Sequence, residues 1–164
     1  MITNQCRNHV YRFSKIGHLV ERIDLNVRTI DTLTYATSSK ANRDEAFDTL
    51  IWAGMLRSLS TLGMYRRSVG PMVDAQSAIN FVVSEETLPR STIFCLKSIR
   101  SAILDLKNNK RLLNVVDSAI KSVGNFNASR IRTKKSQQSI AKLYNFSRKF
   151  TEEATRNLFL PKPS

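Results

Sequence analysis

With 164 residues, 41% of them hydrophobic, and a net charge of +13, the chain is long enough for a real core and too apolar for a disordered segment. No apolar run approaches the ~20 residues that cross a bilayer, and the first residues lack a charged-then-apolar leader. The expectation is one cytoplasmic domain over residues 1–160, a frayed tail at 161–164 and no membrane association.

Four prolines and five glycines, set against long stretches of 3.6-residue periodicity, predict an all-α protein. The first helix starts near Thr3 and runs to about Leu33. Phe13, Ile16, Val20, Ile23, Val27 and Ile30 recur at steps of three and four, which keeps them on one apolar face. Gly17, Glu21, Asp24, Arg28 and Asp31 follow the same rhythm one position later. At about 100° per residue that second stripe lies beside the apolar one, at the margin of the core. Asp24 with Arg28 and Arg28 with Asp31 have pairing distance on a helix, whereas the neighbours Glu21 and Arg22 diverge. A pair tying helices together is the preferred reading of the stripe, and breaking it is costly if it is buried. Its competitor is a Glu21/Asp24 carboxylate pair for acid–base or metal chemistry.

Thr34–Asn42 reads as a connection. Asn42 or Asp44 caps a second helix whose buried side is Ala46, Phe47, Leu50, Ile51, Met55, Leu59 and Leu62, with Trp52 at its border. Arg57, Tyr65, Arg66 and Arg67 fall on its polar side or near its end. Val69-Gly70-Pro71 stops it. Asp74 caps a short third helix through Ala78, Ile79, Phe81, Val82 and Val83, followed by a loop from Glu85 to Ser91. Ser91 caps a fourth helix that presents Ile93, Phe94, Leu96, Ile99, Ile103 and Leu106. After a break at Lys107–Lys110, a fifth turns Leu112, Leu113, Val116, Ala119, Ile120 and Val123 inward and ends at Gly124. Residues 125–133 form a loop. The last helix spans 134–159 through Ile140, Leu143, Phe146, Phe150, Ala154 and Leu158. Short connections make an antiparallel bundle of about six helices the simplest architecture.

The charge is lopsided. Residues 1–80 hold ten Lys/Arg and seven Asp/Glu; residues 81–164 hold sixteen and six. Arg130, Arg132, Lys134 and Lys135, with Lys142, Arg148 and Lys149 further on, form the best polyanion patch. It reads either as a surface for weak, salt-dependent nucleic-acid binding or as a solvated basic face. Arg90-Ser91, at a helix start, suits an anion, although an ordinary serine cap is favoured. His9 and His18 are half a turn out of alignment, and no metal-ligand spacing or glycine-rich phosphate loop occurs. No cofactor or metal is expected. Cys95, set among apolar residues, reads as a small core side chain, and Cys6 with Cys95 as reduced thiols.

Three blocks carry a family resemblance. They are Phe13 through Asp31 with Val20-Glu21-Arg22, then Trp52, Leu56-Arg57-Ser58-Leu59-Ser60 and Tyr65-Arg66-Arg67, and finally Phe81-Val82-Val83, Leu88-Pro89-Arg90-Ser91 and Phe94-Cys95-Leu96. In this order they resemble the second half of the bacterial alpha-E domain family. A typical member has a preceding half with its own Gly-x-x-Leu-Glu-Arg helix, which this chain lacks, so a homodimer is one way to replace it. Alpha-E proteins occur beside, or fused to, a circularly permuted ATP-grasp ligase and a transglutaminase-like peptidase. The resemblance therefore implies a role near amide-bond formation or small-peptide processing with such a ligase as partner, and the expectation is a noncatalytic interaction or scaffold module. Its surface would be Glu21, Arg22, Asp24, Arg28, Arg57, Arg90 and Ser91. The alternative is a basic helical nucleic-acid-binding protein.

Overall fold

The apolar stripe of the first helix is buried against three others. The computed structural model describes residues 2–38, 45–104, 106, 109–128 and 134–156. Among these are seven helices and no strand: α1 (Ile2–Ser38), α2 (Glu45–Ser58), α3 (Leu62–Ser68), α4 (Ala75–Ser84), α5 (Thr92–Leu104), α6 (Lys110–Gly124) and α7 (Lys134–Ala154). Asn42, Asp44 and Leu158 lie outside the described residues.

α1, α5, α6 and α7 pack in a ring, each against the next. Ile16, Leu19, Val20, Ile23, Val27 and Ile30 of α1 are buried, with Phe13 at the edge. They meet Leu96, Ile99 and Ile103 of α5, Leu112 and Val116 of α6, and Leu143, Phe146 and Phe150 of α7 in one core. Asn26 touches Thr92, and the charge of Arg22, a turn earlier, acts on Cys95, a turn later. Hence α1 and α5 run antiparallel. α5 turns into α6 where the Asn109 side-chain amide donates to the carbonyls of Ile103 and Leu104, at 3.1 and 2.8 Å. Arg100 and Asp117 pair across the two helices at 2.7 Å. The helices α2, α3 and α4 form a side layer against α1 and α5.

Two helix ends match their local chemistry. The Asp74 carboxylate accepts from the Ser77 N–H at 2.9 Å, and the Ser91 hydroxyl accepts from the Phe94 N–H at 3.1 Å. Both are side-chain caps of otherwise orphaned donors. Gly70 takes φ +135° ahead of Pro71, a conformation that L side chains rarely adopt.

Four expectations are corrected. The segment Thr34–Ser38 continues α1 instead of opening a connection. Thr37 returns its hydroxyl to the Thr34 carbonyl at 3.2 Å, so the polar run is satisfied within a helix. The second helix, expected to continue through Leu62, breaks after Ser58, and α3 begins at Leu62. Ser60 adopts φ +57°, its N–H donates to the Arg57 carbonyl, and the Thr61 N–H reaches the Leu56 carbonyl at 2.7 Å. This is the left-handed helix end that usually carries glycine, here built with serine. The buried Thr61 hydroxyl also donates to Leu56 at 3.1 Å.

That break redirects the chain and swings Tyr65 from the expected polar side into the core, where it is fully buried. The buried arc of α2 is also rotated. Trp52, Met55, Leu56 and Leu59 point inward, while Phe47 and Leu50, expected inside, are exposed. The face that meets α4 decides the matter, and α4 is the chief neighbour of α2.

Candidate functional site

The charged stripe of α1 borders α7. Arg28 Nε donates to Asp24 Oδ2 at 2.6 Å, one turn back along the same helix, rather than pairing forward with Asp31. The hydrogen bond and the charge of Asp24 hold the guanidinium more firmly protonated than usual. From α7, the Tyr144 ring lies beneath that guanidinium, 5.0 Å from its centroid, within the range of a cation–π contact. Arg28 is thus oriented by its own helix on one side and by a neighbour on the other.

A groove of about 800 Å³ starts at this contact and runs between the helices. Because α1 and α7 are antiparallel, it ends where Glu21 faces Glu152, Thr155 and Arg156. Arg148 pairs with Glu152 at 3.8 Å. Asp24 is half-buried, whereas the Glu21 side chain is 81% exposed and lies 3.7 Å from the His18 imidazole of its own helix. The stripe lies at the rim of the core, and its link to a second helix is made by Arg28.

The other expected site residues lie elsewhere. Arg22, one position after Glu21, turns about 100° away and is half-buried against α5. Ser91 is fully buried and occupied by the Phe94 N–H. Arg90 is exposed, but its Nη1 donates to the Leu59 carbonyl at 3.2 Å, next to the left-handed end of α2. The Arg90-Ser91 corner thereby fastens α5 to α2. Arg57 is exposed on the last turn of α2 and does not line the groove.

Asn26 and Tyr144 are the residues that sequence reasoning missed. Asn26 is buried, and its Nδ2 donates to the Arg90 carbonyl at 2.9 Å and to Thr92 Oγ1 at 3.4 Å. It connects the stripe-bearing helix to the corner. A signal existed, since Leu19, Ile23, Asn26 and Ile30 recur at helical spacing and Asn26 is the polar member. Tyr144 carried none that links it to Arg28.

The basic run divides. Arg130 and Arg132 lie outside the described residues, as do the side chains of Lys134 and Lys135. Lys142 and Lys149, seven residues apart, share the α6 side of α7, while Arg148 faces the α1 side. Among the described residues no three metal-ligating side chains cluster, and no helix is long and apolar enough to cross a membrane.

Cys95 is fully buried, and desolvation pushes its thiol up from 9.0 to about 11, against a smaller lowering by Arg22. The folded state therefore keeps a proton that the unfolded state releases. Stability on this account is intact below the unfolded value and falls as pH rises from about 9 towards about 11. Native protein at pH 8 is expected to resist iodoacetamide at Cys95 and to react once unfolded, as read by mass spectrometry. Equal labelling rates in the two states would refute this.

No curated protein and no solved structure matches the chain. The family Alpha-E, described as a predicted alpha-helical domain with a conserved ER motif, matches residues 1–157. The sequence contains one Glu-Arg dipeptide, Glu21-Arg22, whose acid opens to the groove and whose base turns to α5. With a match that spans all but the last seven residues, the chain belongs to the alpha-E family.

Proposed function

We propose that the chain is a noncatalytic helical interaction module that presents the α1–α7 groove to a protein partner. The partner is an ATP-grasp-type peptide ligase, in a system that includes a transglutaminase-like peptidase, as the resemblance implies. A ligase that consumes ATP sets the pair in the cytoplasm. The observation that carries the reading is Arg28, held between Asp24 and Tyr144 at the mouth of a long groove. A cation fixed on two sides loses little freedom when a partner's carboxylate docks on it. The mixed charges further along fit a polar protein segment better than a uniform polyanion.

Gly17 supports the same face. It precedes Glu21 by one turn, inside α1, where glycine costs roughly 0.5–1 kcal/mol relative to alanine. A Cβ at this position meets nothing within 4 Å, so no packing among the described residues calls for a glycine. A partner backbone approaching beside Glu21 does. Gly17→Ala is therefore expected to stabilise the isolated chain by about 0.5–1 kcal/mol and yet weaken its complex.

Sedimentation velocity with the purified ligase is the test. The wild-type chain is expected to form a complex that Arg28→Glu loses and Gly17→Ala forms less tightly. No complex, or one indifferent to both substitutions, would remove the proposal.

A further inference from the structure

A second recess, of about 340 Å³, opens on the other side of α7, between it and α6. Its walls are two facing polar rows. α6 contributes Asn114, Ser118 and Ser122 at four-residue steps, and α7 contributes Lys142, Asn145 and Lys149 at steps of three and four. Val115, Ala119 and the buried ring of Phe146 form an apolar floor. None of the lining residues is acidic, in contrast with the α1–α7 groove. Asp117 of α6 is engaged by Arg100 on the α5 side.

Some of the polar groups here already have partners. The Ser122 hydroxyl donates to the Ser118 carbonyl at 2.9 Å, and the Asn145 amide donates to the Ala141 carbonyl at 2.9 Å. The Lys142 and Lys149 ammonium groups, the Ser118 hydroxyl and the Asn114 amide have none among the described residues. Two cations and two neutral donors, all on exposed residues, therefore border one small recess. Its volume sits at the lower end of the range for small-molecule sites, roughly 300–1,000 Å³. Residues seven apart on a helix lie about 10 Å apart along its axis, and long lysine side chains shorten that span. An anion with two charged centres is therefore better matched to the pair than one with a single centre.

We infer that the α6–α7 cleft binds a small organic diphosphate. Its phosphoryl groups lie between Lys142 and Lys149, with donors from Ser118 and Asn114, and its carbon body rests over Val115 and Phe146. Lysine serves as a point-charge phosphate ligand without needing the planar fork of arginine. This site shares no residue but Asn145 with the groove proposed for the ligase, so either stands if the other fails.

Titration calorimetry of the full chain with inorganic pyrophosphate at about 150 mM salt tests it, screening weaker surface attraction. Saturable 1:1 binding is expected, tighter than for orthophosphate. Lys142→Gln combined with Lys149→Gln should weaken it at least about tenfold, the equivalent of 1.4 kcal/mol. Ser118→Ala should weaken it several-fold. Lys121→Gln, which removes an exposed cation of α6 outside the cleft, should leave it unchanged. Amide chemical shifts on titrating the wild-type chain should move along α6 and α7, independently of any variant. Non-saturable binding would overturn the inference, as would equal loss in Lys121→Gln. So would tight single-stranded oligonucleotide binding that pyrophosphate cannot compete away, the mark of an extended polyanion surface.

Discussion

Tyr65→Ala is expected to lower the unfolding free energy by about 3–5 kcal/mol, the cost of deleting a large aromatic side chain from a packed core. Tyr65 sits on α3, is fully exempt from solvent, and meets Phe81 of α4 edge to face with ring centroids 5.3 Å apart. Its hydroxyl donates to the Met72 carbonyl at 3.1 Å, in the loop that leads from α3 to α4. One side chain thus joins two helices and the loop between them. Tyr65→Phe retains the ring and removes that bond, so it should cost only about 1 kcal/mol. Urea denaturation of both variants, compared at unchanged slope, separates ring from hydroxyl. Tyr65→Ala within about 1 kcal/mol of wild type, below the usual range for such truncations, would mean that the side layer does not fold cooperatively with the bundle.

Asn26→Leu is the second large effect. The substitution keeps a side chain of similar size but removes the donor to the Arg90 carbonyl. The bond is part-buried, so losing its donor costs up to about 1–3 kcal/mol, the range for a fully buried acceptor. The bond at 2.9 Å accounts for most of this; the contact with Thr92 Oγ1 at 3.4 Å is long. Because Asn26 holds the corner that starts α5, the consequence should also be local. Amide exchange at Phe94 and Cys95, whose N–H groups bond to the Ser91 side chain and carbonyl, should quicken beyond what the global destabilisation explains. Wild-type stability with unaltered exchange at these amides would show that the bridge is dispensable.

Most helices were legible because their signals are local. A capping aspartate at 74, a capping serine at 91 and a Gly70-Pro71 stop act within one turn of chain, and each performs in the structure the part its chemistry suggests. The same holds for Asp24 and Arg28, whose spacing alone brings them into reach. The break at Ser60 was not legible, since no glycine or proline marks it. Its left-handed backbone is supported by contacts from Thr61 and by Arg90, thirty-one residues ahead of Leu59. Phe47 and Leu50 were misplaced for a related reason. Periodicity specifies that a helix has an apolar side, but a helix rich in apolar residues offers more than one arc, and the neighbour selects among them.

The sequence by itself determined the all-helical class, the apolar face of α1 and the acid–base stripe beside it, because helical periodicity ties residues three and four apart regardless of what surrounds them. Only the tertiary structure decided which neighbour each stripe would meet. It set Tyr144 under Arg28, buried Asn26 against the Arg90 carbonyl, and sent Lys142 and Lys149 to one side of α7 and Arg148 to the other. Those outcomes depend on how the helices pack around a shared core, and the free energy of packing belongs to pairs of segments far apart in the chain.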